Sequence, residues 1–111
     1  MAKDPLLDEG IDLFNDGKYF EAHEVWEDLW RSAEEPPRKF YQGLIHAAVG
    51  LHHLRRKNVT GARSQLEKSM KNLRNFPPIC CGIDNAALIS KLGKVLENLQ
   101  VQDIRITRVE S

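Results

Sequence analysis

Phe14-Asn15-Asp16-Gly17-Lys18-Tyr19-Phe20-Glu21-Ala22-His23-Glu24-Val25-Trp26 reads as the end of one helix, a stop, and the start of the next. Phe14 closes an apolar face, and Asn15-Asp16-Gly17 supplies the stop because glycine readily takes the left-handed conformation that ends a helix. The pattern returns at an offset of 40, where Leu54, Val59, Ala62 and Leu66 correspond to Phe14, Tyr19, Ala22 and Trp26. Each set places a small alanine early in its second helix, where the two helices of a hairpin must cross. Repetition of this kind marks helical-hairpin repeats such as tetratricopeptide units. It predicts an all-α domain of about five helices: two antiparallel helical hairpins plus a C-terminal helix.

The flanking sequence supports that architecture. A first helix over residues 4–16 has Asp4 as its N-cap, Pro5 at the first helical position, and Leu7, Ile11 and Phe14 on one face. A second over 18–33 is ended by Glu34-Glu35-Pro36-Pro37, since proline cannot continue a helix and restricts the residue before it. In a third helix, over 37–57, Phe40, Tyr41, Leu44, Ile45, Ala47, Ala48, Val49, Leu51 and Leu54 cover most of the circumference, which places it at the centre of the bundle. Gly43, Ala47, Gly50 and Leu54 form a strip on it. Each helical glycine costs about 1 kcal/mol relative to alanine, so the strip implies close approach of a neighbouring helix. A fourth helix over 59–75 carries Val59, Ala62, Leu66, Met70 and Leu73 as its apolar stripe and is broken at Phe76-Pro77-Pro78. The C-terminal helix, over 84–100, has Asp84 or Asn85 as cap and Leu88, Leu92, Val95 and Leu99 as its face. In the tail, 101–111, Ile104-Arg105-Ile106 alternates like a short strand and fits an extended tail equally well.

At 111 residues the chain makes a single domain, 1–111, with one core. Its 16 Lys plus Arg balance 16 Asp plus Glu, so no global field draws it to nucleic acid or to a membrane. Basic residues gather at Arg55-Arg56-Lys57 and continue through Arg63, Lys68, Lys71 and Arg74, while acidic residues crowd the first 35 positions. That asymmetry fits salt bridging or self-association into a homo-oligomer better than DNA binding. There is no signal peptide, and no apolar stretch approaches the roughly 20 residues that span a bilayer. Cys80 and Cys81 are adjacent and bridge only through a strained ring. Reduced thiols in a cytoplasmic protein are the simplest account, with a redox role beside Pro77-Pro78 as the lesser alternative.

Chemically capable side chains concentrate on the second helix. On a helical wheel Ala22, Trp26, Leu29, Trp30 and Ala33 form its apolar face, which makes the tryptophans core anchors rather than a stacking platform. His23 lies on the border of that face, Glu27 directly beyond it, and Glu24 further round. On the third helix Gln42, His46 and His53 share one polar stripe, with Arg38 and Tyr41 near its rim, and His52 reads as a surface neighbour of His53. If that stripe faces the second helix, His23, Glu24, Glu27, Gln42, His46 and His53 converge. Imidazole with carboxylate suits zinc, iron or manganese, and His23 with Glu27 at i, i+4 suits chelation of one ion. The run His23-Glu24-Val25-Trp26-Glu27 lacks the second histidine of the zinc-protease pattern, and the paired Glu-x-x-His elements of di-iron bundles are missing.

The second-helix run through Trp30, followed by Phe40-Tyr41-Gln42-Gly43-Leu44-Ile45-His46-Ala47-Ala48-Val49-Gly50-Leu51-His52-His53, resembles the bacterial and archaeal domain-of-unknown-function 309 family. The Ala-His-Glu-x-Trp-Glu element at residues 22–27 is its most specific feature, and the resemblance covers about 8–76. It implies a compact all-α fold and a small cytoplasmic protein, and brings no activity with it. His46 departs from the glutamine that many relatives lead one to expect there.

These observations give a non-enzymatic binding module for a small ligand or a protein partner. Its site is lined by His23, Glu24, Glu27, Arg38, Tyr41, Gln42, His46 and His53, and it requires no cofactor. The alternative is a metal-dependent, hydrolase-like enzyme in which His23, Glu27 and His46 hold a divalent metal and Glu24 or Glu27 serves as general base.

Overall fold

The Asp4 carboxylate accepts from the Leu6 N–H at 2.9 Å and Pro5 sits inside the first turn, so the first helix begins where capping chemistry sets it. The computed structural model describes residues 4–109. The elements run α1 (Pro5–Asn15), α2 (Tyr19–Ser32), α3 (Pro37–Arg55), α4 (Val59–Leu73), β1 (Ile79–Cys80), β2 (Ile83–Asp84) and α5 (Asn85–Asn98). The five expected helices are present, each a little shorter than its sequence pattern suggested. α3 packs against α2 on one side and α4 on the other, α1 against α2, and α5 against α4.

The internal repeat is structural. Phe14 and Leu54 close their first helices, Ala22 and Ala62 lie fully buried at the crossings, and Trp26 and Leu66 fill the space beneath. Glycines stand one turn earlier at equivalent places. A Cβ on Gly10 would lie 2.0 Å from Trp26 Nε1, and one on Gly50 would lie 2.7 Å from Leu66 Cδ2. Gly43 admits Leu73 and Asn72 of α4 in the same way, and its carbonyl accepts from the buried Ser69 hydroxyl at 2.7 Å. The glycine strip of α3 is therefore the seam against α4. Val59, expected on the inner stripe of α4, is 44% exposed, because it stands at the first helical position and has already left the seam.

After α4 the chain turns over Asn85. Its side-chain amide donates to the Leu73 carbonyl at 2.9 Å, capping the end of α4, while the neighbouring Asp84 carboxylate accepts from the Ala87 N–H and caps α5. Between the two helices lies a β-hairpin that the sequence reading did not anticipate. Cys80 pairs with Ile83 across the two-residue turn Cys81-Gly82, whose φ values of 54° and 75° mark the type I′ geometry of tight hairpins. The tail then returns beside β2: the Asp84 N–H donates to Thr107 O and the Val109 N–H to Gly82 O, both at 2.8 Å. Ile104 and Ile106 are buried, so Ile104-Arg105-Ile106 is extended and built into the core.

Candidate functional site

Docking of α2 through Ala22, Trp26 and Leu29 fixes where its polar border points. His23 Nδ1 is 2.8 Å from the Phe20 carbonyl one turn back, and Nε2 is 3.3 Å from Glu27 Oε1. The second Glu27 oxygen reaches Arg31 at 3.6 Å, so that carboxylate is shared between an imidazole and a guanidinium. Glu24 is exposed and stands apart from this chain of contacts. Facing it from α3 is His52. The Phe20 ring, 46% exposed, lies 5.0 Å from the His23 ring and 5.2 Å from the His52 ring. His52 titrates below its usual range, first because burial disfavours its charged form, then because Arg56, His53 and His23 are nearby.

The remaining predicted residues are dispersed, and this corrects the expected convergence. The Gln42–His46–His53 stripe does not face α2: it borders the glycine seam, and His46 Nδ1 lies 2.6 Å from Gln65 Oε1 on α4. His53 Nδ1 is 3.4 Å from the Asn58 side chain at the α3–α4 turn, and Gln42 is half-buried two turns or more away from both the Phe20 cluster and that turn. Arg38 stacks over the Trp30 ring at 4.0 Å and donates to the Trp30 carbonyl at 3.2 Å, joining the end of α2 to the start of α3. Tyr41 lies beside the Cys80-Cys81 turn, and its phenol is pushed up to about 12 by burial, then by the Cys81 thiol and the Asp4 carboxylate. Thus the polar contact within the set joins His23 and Glu27, and His52, from outside the set, reaches His23 through Phe20. Among the described residues no group of three or more His, Cys, Asp or Glu side chains is arranged to hold a metal ion, so His23, Glu27 and His46 do not make the ligand set considered for them. Nor is any helix among the described residues long and apolar enough to cross a membrane.

A second locus, outside the predicted set, surrounds α1. Asn15 holds Ile106 by both ends of its amide: Nδ2 donates to the Ile106 carbonyl at 3.0 Å and Oδ1 accepts from the Ile106 N–H at 2.7 Å. This pair of hydrogen bonds to one residue's backbone recognises an extended segment whatever its side chain. Specificity comes from the neighbours. Ile104 and Ile106 are buried at 4% and 3% exposure, and the Arg108 guanidinium bonds Asp12 at 2.7 Å and Asp8 at 3.2 Å. Lys91 of α5 donates to the Arg105 carbonyl at 2.9 Å, and Arg105 to the Asn15 carbonyl at 3.3 Å. Beside this runs a polar recess of about 280 Å³ between the α1–α2 turn and the tail, walled by Asp16, Tyr19, Arg55, Asp103 and Arg105. Arg55 covers the Tyr19 ring at 4.6 Å and donates to the Gly17 carbonyl. One signal of this locus was present in the sequence: Asp8, Asp12 and Asn15 recur at helical spacing on one flank of α1.

Residues 7–65 match the family described as "Domain of unknown function (DUF309)", which is 59 of the 111 residues, and the chain belongs to that family. It is similar to the "Uncharacterized protein YpuF" of Bacillus subtilis (strain 168), at 33% identity over 90% of this chain and 59% of that protein. It is also similar to an "Uncharacterized protein" of Aquifex aeolicus (strain VF5), at 29% identity over 86% of this chain and 29% of that protein. The chain therefore spans less than two thirds of the length of either relative.

Proposed function

We propose that this member of the DUF309 family is a non-enzymatic interaction module that grips an extended segment against the outer flank of α1. The single observation that carries the reading is the two-point hold of Asn15 on the Ile106 backbone, flanked by buried Ile104 and Ile106 and by Arg108 on Asp8 and Asp12. A backbone clamp, apolar side chains at alternate positions and a terminal charge pair are the elements by which domains bind extended peptides. Here the chain's own tail displays the ligand chemistry: apolar–x–apolar–x–basic. On the α2 side of the histidine face, His23 spends both ring nitrogens on its own helix, at the Phe20 carbonyl and Glu27.

The test is binding of a labelled peptide spanning residues 102–109 to the full chain. Saturable binding that weakens when Ile104 and Ile106 of the peptide are replaced by serine is the expected result. Binding should also fall at least about tenfold in an Asn15→Ala protein, since losing one clamp leaves a buried backbone group without its partner at a cost of about 1–3 kcal/mol. No saturable binding, even to an Ile106→Asp protein whose own tail is displaced and whose helicity is intact, would sink the proposal.

A further inference from the structure

Cys81 occupies the first central position of a type I′ turn, with φ at 54°. That position favours asparagine, aspartate or glycine, because an L-residue with a Cβ pays about 1–2 kcal/mol to sit in the left-handed region. Cys81 departs from that preference. What the conformation achieves is visible: it brings the Cys81 sulfur to 3.6 Å from that of Cys80. Cys81 is exposed, Cys80 is half-buried, and the Tyr41 phenol lies against them. The same turn also holds the tail, since Gly82 O accepts from the Val109 N–H and the Asp84 N–H donates to Thr107 O.

We infer that Cys80 and Cys81 are an oxidative modification site: hydrogen peroxide closes them into a disulfide, and closure loosens the hold of the turn on residues 107–109. The exposed Cys81 sulfur attacks the peroxide, forming an S–O bond as the O–O bond breaks and one water leaves, which makes Cys81 a sulfenic acid. The Cys80 sulfur then displaces the sulfenic oxygen, an S–S bond forms, and a second water leaves with the Cys80 proton. Two thiols and one peroxide give one disulfide and two waters. Cys80 is the resolving partner because it is half-buried while Cys81 is exposed to the oxidant, and burial pushes the Cys80 thiol up to about 12.

Closure disturbs the turn for a geometric reason. The sulfurs must approach from 3.6 Å to a bond of about 2.05 Å, while one trans peptide keeps the two Cα atoms about 3.8 Å apart, below the usual disulfide range of about 4.4–6.8 Å. The adjustment falls on the torsions of Cys81, which are the torsions that define the turn and aim the Gly82 carbonyl at Val109. Its consequence for segment exchange at α1 rests on the binding reading above; the oxidation itself does not.

The full chain treated with hydrogen peroxide should lose the mass of two hydrogens without forming a dimer, and a dithiol should reverse the change. Amide exchange over residues 104–109 should accelerate at least about tenfold in the oxidised protein. Cys81→Asn, which keeps a residue suited to the left-handed position, and Cys80→Ser should both abolish the mass loss and the acceleration. Stepwise oxygen addition in place of the mass loss, or a disulfide that leaves tail exchange unchanged, would overturn the inference. Exchange is read without any added peptide, so failure of the peptide to bind would remove the binding reading alone, and absence of the disulfide would remove this one alone.

Discussion

The hairpins α1–α2 and α3–α4 are built on one plan and used differently. Gly10 and Gly50 admit the large residue opposite, Phe14 and Leu54 close the first helix, and Ala22 and Ala62 mark the crossing. Their turns even share conformation at equivalent places, with Gly17 at φ 79° and Lys57 at φ 65°. The difference lies in the outer flank of each first helix. On α3, Ala48 is buried, His52 meets Phe20, and Arg55 covers Tyr19, so that flank is spent on the first hairpin. On α1 the equivalent Asp8 and Asp12 pair with Arg108, and Asn15 bonds the Ile106 backbone, so that flank is bridged by the tail. Stacked repeats bury their flanks on neighbours, and an end repeat needs a cap. In this protein the cap is an extended segment, held by the Asn15 clamp, the buried Ile104 and Ile106 and the Arg108 ion pairs.

The sharpest way to break the equivalence is at the two glycines. Gly10→Ala drives a methyl group into the rigid, fully buried Trp26 ring and should cost the upper end of about 1–3 kcal/mol, read as a lower urea midpoint. Gly50→Ala meets Leu66 at Cδ2 and Cγ, with the Leu66 backbone nitrogen 3.3 Å away, and the gain of about 1 kcal/mol in helix propensity offsets part of that clash, so its loss should be smaller than at Gly10. Equal losses would mean that the indole contributes no special rigidity to the first hairpin.

The turns give a smaller contrast of opposite sign. Gly17→Ala should destabilise by about 1 kcal/mol, because it places a Cβ in the left-handed region, whereas Lys57→Gly relieves that strain and should raise the melting temperature slightly. The second turn can carry a lysine because Asn58 caps α4 through the Gly61 N–H at 3.0 Å; Lys18 makes no such side-chain cap for α2.

The smallest effect is on pH dependence, where the hairpins meet. His52 titrates lower in the folded protein than its ordinary value of about 6.5, so the unfolded chain binds more protons as pH falls through that value. Stability should therefore decline from about pH 7 to about pH 5, and His52→Gln should flatten that part of the melting-temperature profile. An unchanged profile would dissociate His52 from the α2–α3 contact.

Periodicity exposed the repeat because both hairpins are locally encoded: glycine, alanine and bulky residues recur at fixed spacing, and each helix announces its inner face. The α3 strip also predicted a close neighbour correctly. Residue spacing on one helix, however, does not say which partner each flank meets. Gln42, His46 and His53 do share a flank, but the close seam at Gly43 and Gly50 turns it toward α4, and the adjacent flank carrying His52 goes to α2. The clamp was harder still to read. Asn15 looked only like a helix stop, and three residues of alternation in the tail are too few to reveal a buried extended segment.

The contact between Arg108 and Asp8 joins positions 100 apart in the chain. Helices α1 to α4 can consolidate pairwise through nearby contacts, while closure of so long a loop carries the largest entropic barrier in the molecule. Sealing the α1 flank therefore belongs to the end of folding. A chain still emerging from a ribosome carries that flank bare until residues 104–108 arrive.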